Sequence, residues 1–404
     1  MDDILNQGGD REPSPWPRRL AVIAALIVVA GAGVFYLSRP HQRHTPVAAP
    51  SAPASASPAP SEPSGIAGQT LPWATSLRLP ATGTQPVWFS PASGHSEPII
   101  GLPYVSSGYQ FIRTVGGWAV QANPGSPPEC SGCVKPSVPV WFLADGARSV
   151  TRVGTATLVA PSASAGAVWL TSYSPGVSMN TATGTAREVS STGSPLHPPV
   201  KLPAGYIIDQ ATDRGLLLSP TDQPGTPVST LWSPATARAS RSFDGVIAAS
   251  ATRVAWATRC APLCHVRVLD LATGQQTVIA LPGASSAVNG AFSPDGRFLA
   301  IQVSFNNRGD DGALAMQLDV APVASRRPVA SGGPVASSRP VPVPGMNVSS
   351  DALVSFGWPA HGDDLVAELS FITKVQVASW YPGARQLAVA VINSGPASGS
   401  LVLR

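Results

Sequence analysis

Charge is what this sequence has least of. Only 12 % of its 404 residues are Asp, Glu, Lys or Arg, about half the share in an average soluble globular chain, while 44 % are hydrophobic. That combination excludes a charge-rich disordered chain and a helical bundle laced with Glu–Lys pairs. Lysine is confined to Lys135, Lys201 and Lys374, and a net charge of +4 on so long a chain gives no reason to expect nucleic acid as a partner. Enzyme signatures are missing too. There is no Gly-x-Ser-x-Gly elbow, no His-Glu-x-x-His, no phosphate loop and no dinucleotide fingerprint, so the expectation is a non-enzyme with no catalytic residue, cofactor or metal. The six histidines are scattered: His41 and His44 follow an apolar run, and His95, His197, His265 and His361 fall in predicted turns. Asp310-Asp311 and Asp363-Asp364 are neighbours along the chain, unlike the carboxylates held about 5 to 9 Å apart that glycoside hydrolysis needs.

Gly and Pro are abundant instead, at 38 and 43 residues, and the N-terminal region spends many of them on an address and a tether. Leu20 to Leu37 (LAVIAALIVVAGAGVFYL) is uncharged and mostly apolar for 18 residues, long enough to cross about 30 Å of hydrocarbon. Arg11, Arg18 and Arg19 precede it and Arg39 and Arg43 follow, a slight excess that favours residues 1–19 on the cytoplasmic side. A cleaved signal peptide ending near Ala30-Gly31-Ala32 is the alternative. The apolar Val34-Phe35-Tyr36-Leu37 beyond that site favours a retained single-pass anchor over residues 20–37. Residues 38–69 are rich in Pro, Ala and Ser and read as an extracytoplasmic linker. In the polyproline limit its 24-residue core from Thr45 reaches roughly 70 Å. Residues 70–404 then form the folded, extracytoplasmic domain.

That domain shows no sustained 3.6-residue apolar periodicity. It has many short Val, Ile, Leu and Trp runs separated by Gly, Pro, Ser and Asp-Gly turns, the pattern of an all-β fold. One hairpin unit recurs: Val87 to Leu102, Val140 to Val153, Val177 to Val189, Thr230 to Phe243, Val266 to Leu281, Met316 to Val329 and Val377 to Val391. Between copies there is room for two inner strands, such as Val246 to Ala249 with Arg253 to Ala257, or Val288 to Phe292 with Phe298 to Val303. Repeats of four strands closed in a ring make a β-propeller. Seven four-stranded blades are expected, with six or eight left open by the long third and sixth repeats. The C-terminal Ser400-Leu401-Val402-Leu403 is expected to pair with the N-terminal hairpin and remove two open sheet edges.

The sharpest turn is Phe292-Ser-Pro-Asp-Gly-Arg-Phe-Leu-Ala300. Pro294 presets φ, Asp295 can bond the turn backbone and Gly296 can take φ > 0. With Leu269-Asp-Leu-Ala-Thr-Gly274 closing the preceding repeat, this segment resembles the TolB-like and WD40-like propellers of bacterial envelope proteins, over about residues 246 to 305. The resemblance implies a fold with an interaction or scaffold role.

Four cysteines fall as Cys130-Ser-Gly-Cys133 and Cys260-Ala-Pro-Leu-Cys264, each between the second and third strands of a repeat. In an exported chain these read as two local disulfides pinning exposed loops. A shared zinc with His265 would require pairs three blades apart to meet at one ion. A redox role for the first pair would require a helix after Cys130, which Pro136 and Pro139 oppose. Arg308, Gly309, Asp310 and Asp311 occupy the equivalent connection of a third repeat and form a candidate binding loop; the adhesive tripeptide match and a calcium loop are weaker readings of the same residues. Trp88, Trp118, Trp141, Trp169, Trp232, Trp256, Trp358 and Trp380 lie on or beside predicted strands and are expected in the core between blades. The functional expectation is a scaffold or accessory subunit that binds an envelope or membrane protein. The alternative is a carbohydrate- or small-molecule-binding propeller, possibly enzymatic, that uses its central mouth.

Overall fold

The computed structural model describes residues 77–124, 133–221, 228–258, 260, 263–308, 314–323, 336–349, 353–359, 364–371 and 374–392. The segments read as cytoplasmic stub, membrane anchor and linker (1–19, 20–37 and 38–69) and the terminal Ser400–Leu403 strand lie outside the described residues. Among the described residues the strands form seven sheets. The fold is an all-β, seven-bladed propeller.

Blade one consists of Leu79–Ala81, Val87–Ser90 and His95–Pro98. Blade two is Tyr109–Thr114, Gly117–Ala122, Val138–Ala144 and Thr151–Ala156, and blade three is Leu158–Pro161, Ala167–Ser172, Thr185–Ser190 and Val200–Lys201. Blade four is Tyr206–Thr212, Gly215–Pro220, Val228–Ser233 and Arg238–Asp244. Blade five is Val246–Ala249, Arg253–Ala257, Cys264–Asp270 and Gln276–Leu281, with Ala336–Ser338 added in parallel at its outer edge. Blade six is Ser286–Phe292, Phe298–Arg308, Leu314–Pro322 and Val341–Ser349, and blade seven is Leu353–Gly357, Leu365–Phe371, Lys374–Trp380 and Ala388–Ile392. Within blades two to seven, pairing is antiparallel from the inner to the outer strand.

The two-residue period of a strand explains how the blades stack. In the third strand of blade five, Val266 and Val268 turn toward blade six, while Leu269 turns toward blade four. Repeated around the molecule, this alternation produces one apolar cluster at each blade-to-blade junction. Trp88 with Phe111 and Trp118 joins blades one and two; Val140 and Phe142 with Val168 and Leu170 join two and three. Trp169 with Leu216 and Leu218 joins three and four, and Leu217 and Phe243 with Val254 and Leu269 join four and five. Ile279 with Leu299 and Ile301 joins five and six, and Leu318 with Phe356 and Leu365 joins six and seven. The ring closes where Leu79, Ala81 and Phe89 of blade one meet Val366 and Val377 of blade seven. Each fully buried Leu or Ile contributes about 2 kcal/mol through removal from water.

Four of the seven expected hairpins coincide with the third and outer strands of a blade, and the first with the last two described strands of blade one. The third does not. Its apolar Val177 and Met179 belong to a turn, in which the Thr181 and Ala182 amides donate to the Ser178 carbonyl at 3.1 and 3.0 Å, and the third and outer strands are Thr185–Ser190 and Val200–Lys201. The sixth fails on its second strand. Leu314–Pro322 pairs with Val341–Ser349, because the intervening connection is long enough to send Ala336–Ser338 across to blade five.

The turns between inner and second strands share a device. A Ser or Thr ends the inner strand in blades two to six: Thr114, Ser162, Thr212, Ser250 and Ser293. The last four accept hydrogen bonds from the turn amides of Ser164 (2.9 Å), Arg214 (3.2 Å), Arg253 (3.2 Å) and Phe298 (2.9 Å), which satisfies donors that the ladder leaves open. In Ser293–Phe298 the Gly296 amide donates to the Ser293 carbonyl, the Arg297 amide donates to Asp295 at 2.9 Å, and Gly296 adopts φ 70°, as the Pro-Asp-Gly chemistry predicts.

Candidate interaction face

The two ends of the ring are distinguished by their connections. At one end, first-to-second-strand turns of adjacent blades bond to each other: the Gly166 amide donates to Val115 and the Asp213 amide to Ala251, at 2.7 and 2.8 Å. At the other end lie the second-to-third-strand connections, which carry Cys133 and Cys260, with Cys264 at the start of a third strand and Arg308 at the end of a second.

Cys260 and Cys264 form a disulfide. Cys264 is fully buried and Cys260 packs against the same cluster between blades five and six, so the bond ties the loop to the core. Leu263, inside this small ring, is 51 % exposed. Cys133 is also disulfide-bonded; its expected partner Cys130 lies outside the described residues. Cys133 bridges to Ser178 of blade three. The neighbouring Val134 is buried in the junction between blades three and four, where its amide donates to the Val177 carbonyl at 2.8 Å. Val177 itself is 39 % exposed. Both tied loops therefore hold an apolar side chain in solvent over a fixed backbone. Arg308 ends the second strand of blade six, its backbone paired with Leu314; Gly309, Asp310 and Asp311 lie outside the described residues.

Of the eight tryptophans expected in the core, seven are buried and Trp256 is half-buried. It stands in the junction between blades four and five, 5.2 Å from the Phe243 ring centre. His265 is half-buried on the third strand of blade five rather than in a turn.

Buried charged side chains are spread over several blades: Glu188 in blade three, Arg253 in five, Asp319 in six and Glu368 in seven. Arg253 is buried, with its Nε 3.6 Å from Asp270 Oδ2; Nε and Nη1 have no hydrogen-bond acceptor among the described residues. Burial pushes the Asp270 carboxyl upward, but hydrogen bonds from Thr273 and Ala272 and the charge of Arg253 outweigh it and leave the group below its usual range. Asp319, buried on blade six, is raised by burial against the opposing hydrogen bond from Gln317. On the inner strand of blade four, the Asp209 carboxyl is raised by the protein crowded around it, against the pull of the Ser219 hydroxyl. It occupies a bulge between Ile208 and Gln210, and similar register shifts occur in the inner strands of blades five, six and seven. A shallow cavity of about 180 Å³ beside blade one is lined by Arg78, Trp88, Ser90, Ser93, His95 and Glu97. Its charges are already engaged: Glu97 pairs with Arg78 at 3.1 Å and with Arg148 at 3.5 Å. No group of three or more His, Cys, Asp or Glu among the described residues could hold a metal ion.

The sequence matches no family model and no curated protein. Solved structures do resemble it. TolB from Acinetobacter baumannii is 10 % identical, with 78 % of this chain and 77 % of that chain covered, at a TM-score of 0.40. The lmo1340 protein of Listeria monocytogenes EGD-e is 10 % identical, with 72 % and 86 % covered, at 0.42. Prolyl oligopeptidase B from Galerina marginata is 9 % identical at 0.42, with 71 % of this chain covered but only 42 % of that chain.

Proposed function

We propose that the chain is a membrane-anchored, extracytoplasmic propeller that serves as a non-catalytic interaction scaffold or accessory subunit of a bacterial envelope system. The anchor is Leu20 to Leu37, the N-terminus is cytoplasmic, and the partner is an envelope or membrane protein. One observation carries the interaction part of this reading: Leu263 and Val177 stand exposed on the same end of the ring, each on a loop tied down beside a disulfide. A side chain held in place before binding loses little conformational freedom on contact, so its buried area contributes more fully to affinity.

The test is crosslinking capture from native envelopes with the full chain as bait, comparing wild type with Leu263→Asp and Val177→Asp. A defined partner whose recovery falls about tenfold or more in both variants, with unchanged melting temperature, supports the scaffold. Recovery that is indifferent to both substitutions removes this face from the function.

A further inference from the structure

We infer that the outer half of the junction between blades four and five is a basic groove with an aromatic floor, and that it takes an acidic segment of the partner protein. The inference rests on the scaffold reading above and specifies the chemistry of what that partner presents.

A bulge assembles the groove. In the outer strand of blade four, Arg241 lies opposite Leu231, whereas Ala239 and Arg238 lie opposite Trp232 and Ser233, a register shift that leaves Ser240 as the extra residue. Strict alternation would put residues 238 and 241 on opposite faces. With one residue bulged out, both arginines share the face that Phe243 presents to blade five. From the other side, Arg267 lies directly opposite Trp256 across the second and third strands of blade five, so it shares the face that Trp256 turns toward blade four.

The Arg241 guanidinium crosses the junction, 5.4 Å from the Phe243 ring centre and 5.8 Å from that of Trp256. Stacking fixes its plane while leaving its N–H edges available, and Arg238, Arg241 and Arg267 are all exposed. None has a carboxylate partner within ion-pairing distance among the described residues. Asp244 alternates with Phe243 and faces the opposite way. Asp209 sits at the far, inner end of the junction, behind Ser219 and Ser229, which are 2.7 Å apart. Among the described residues the groove is therefore of one sign. Its guanidinium forks match carboxylates in bidentate geometry, and charge complementarity selects an acidic peptide. It runs along the junction from the side of the proposed interaction face, where Leu263 precedes the strand that carries Arg267, toward the opposite end, where Arg238 begins the outer strand of blade four.

Fluorescence anisotropy of the full chain in detergent, with fluorescein-labelled octaglutamate and octaglutamine peptides, tests the groove. Octaglutamate is expected to bind at low salt and octaglutamine not. An R241Q/R267Q variant is expected to lose at least tenfold in affinity, and an R241K/R267K variant to fall between it and wild type, because lysine keeps the charge but not the stacked, bidentate fork. Equal binding of both peptides, or equal affinity in the glutamine variant, overturns the proposal. So does arginine-dependent binding to phosphatidylglycerol vesicles without binding to octaglutamate, which would assign the groove to lipid. Leu263→Asp separates this idea from the scaffold reading. If it abolishes partner capture while octaglutamate is indifferent to the arginines, the groove falls and the scaffold stands; if capture ignores it while octaglutamate needs both arginines, the groove stands alone.

Discussion

Toward blade six, blade five offers Arg253, which is buried beneath the Ser293–Phe298 turn and faces Asp270, in a junction closed by the Cys260–Cys264 disulfide and by Ile279, Leu299 and Ile301. Toward blade four it offers Arg267, which is exposed, has no ion-pair partner among the described residues and lies beside a half-buried tryptophan. The two residues are of the same type on adjacent strands of one sheet, yet their environments give them opposite uses. A guanidinium removed from water must be compensated from within the fold, and that compensation makes it part of the structure. A guanidinium left in water keeps its donors for something else.

The strongest way to break this comparison is Asp270→Ala. It leaves Arg253 as a buried, uncompensated charge and also removes the acceptor for the Ala272 and Thr273 amides, at 3.1 and 2.9 Å. The expected loss is about 3 kcal/mol. Chemical denaturation at neutral pH measures it. Because the Asp270 carboxyl lies below its usual value in the folded state, its contribution is fully present above the unfolded value near 4 and disappears as pH falls through the folded one. The gap between wild type and variant should therefore close below about pH 4; a gap that widens on acidification would contradict this role.

Gly296→Ala attacks the same junction from blade six. An added Cβ would stand 2.5 Å from Arg253 Nη1, at a backbone φ of +70°. The left-handed conformation alone costs about 1 kcal/mol for a residue with a side chain. The clash adds to it, since a buried guanidinium cannot swing into solvent. A loss of about 2 kcal/mol is expected by the same denaturation assay, and Arg253→Met in the Gly296→Ala background should recover the steric part. No recovery would show that the strain is in the turn alone.

How much of this was legible in the sequence depends on whether the signal was local. The Ser293–Phe298 turn, the inner strands of blades five and six and the Cys260–Cys264 loop are written in contiguous residues with defined backbone chemistry, and they fold as read. Val177 to Val189 misled because a Val and a Met in alternation look like a strand, whereas Ser178 and Gly184 make them part of a connection. The hydroxyl that ends the inner strand in blades two to six, from Thr114 to Ser293, was a readable repeat marker. The arginine groove was not readable. Its three members come from two blades, and two of them share a face only because Ser240 is bulged out, a register event set by pairing with Leu231 and Trp232. A low net charge gave no hint of it, since charge that is sparse in the sequence can still be gathered by the fold.

Arg267→Gln should have the smallest effect on stability and so sharpens the comparison most. The side chain is exposed and its removal leaves no buried charge, so its contribution to folding reduces to weak packing beside Trp256 and should lie within about 0.5 kcal/mol of zero. The neighbouring Arg241 stack does not depend on it, because the Arg241 guanidinium is held by Phe243 and Trp256 themselves. Removing one of three like charges in the groove also relieves repulsion, which offsets part of the lost packing and can make the variant slightly more stable at low salt. Measured beside Asp270→Ala, the two faces of blade five should differ by several-fold in what one substitution costs the fold. A large loss on Arg267→Gln would mean that this arginine, too, is part of the structure, and the contrast between a closed and an open junction would not hold.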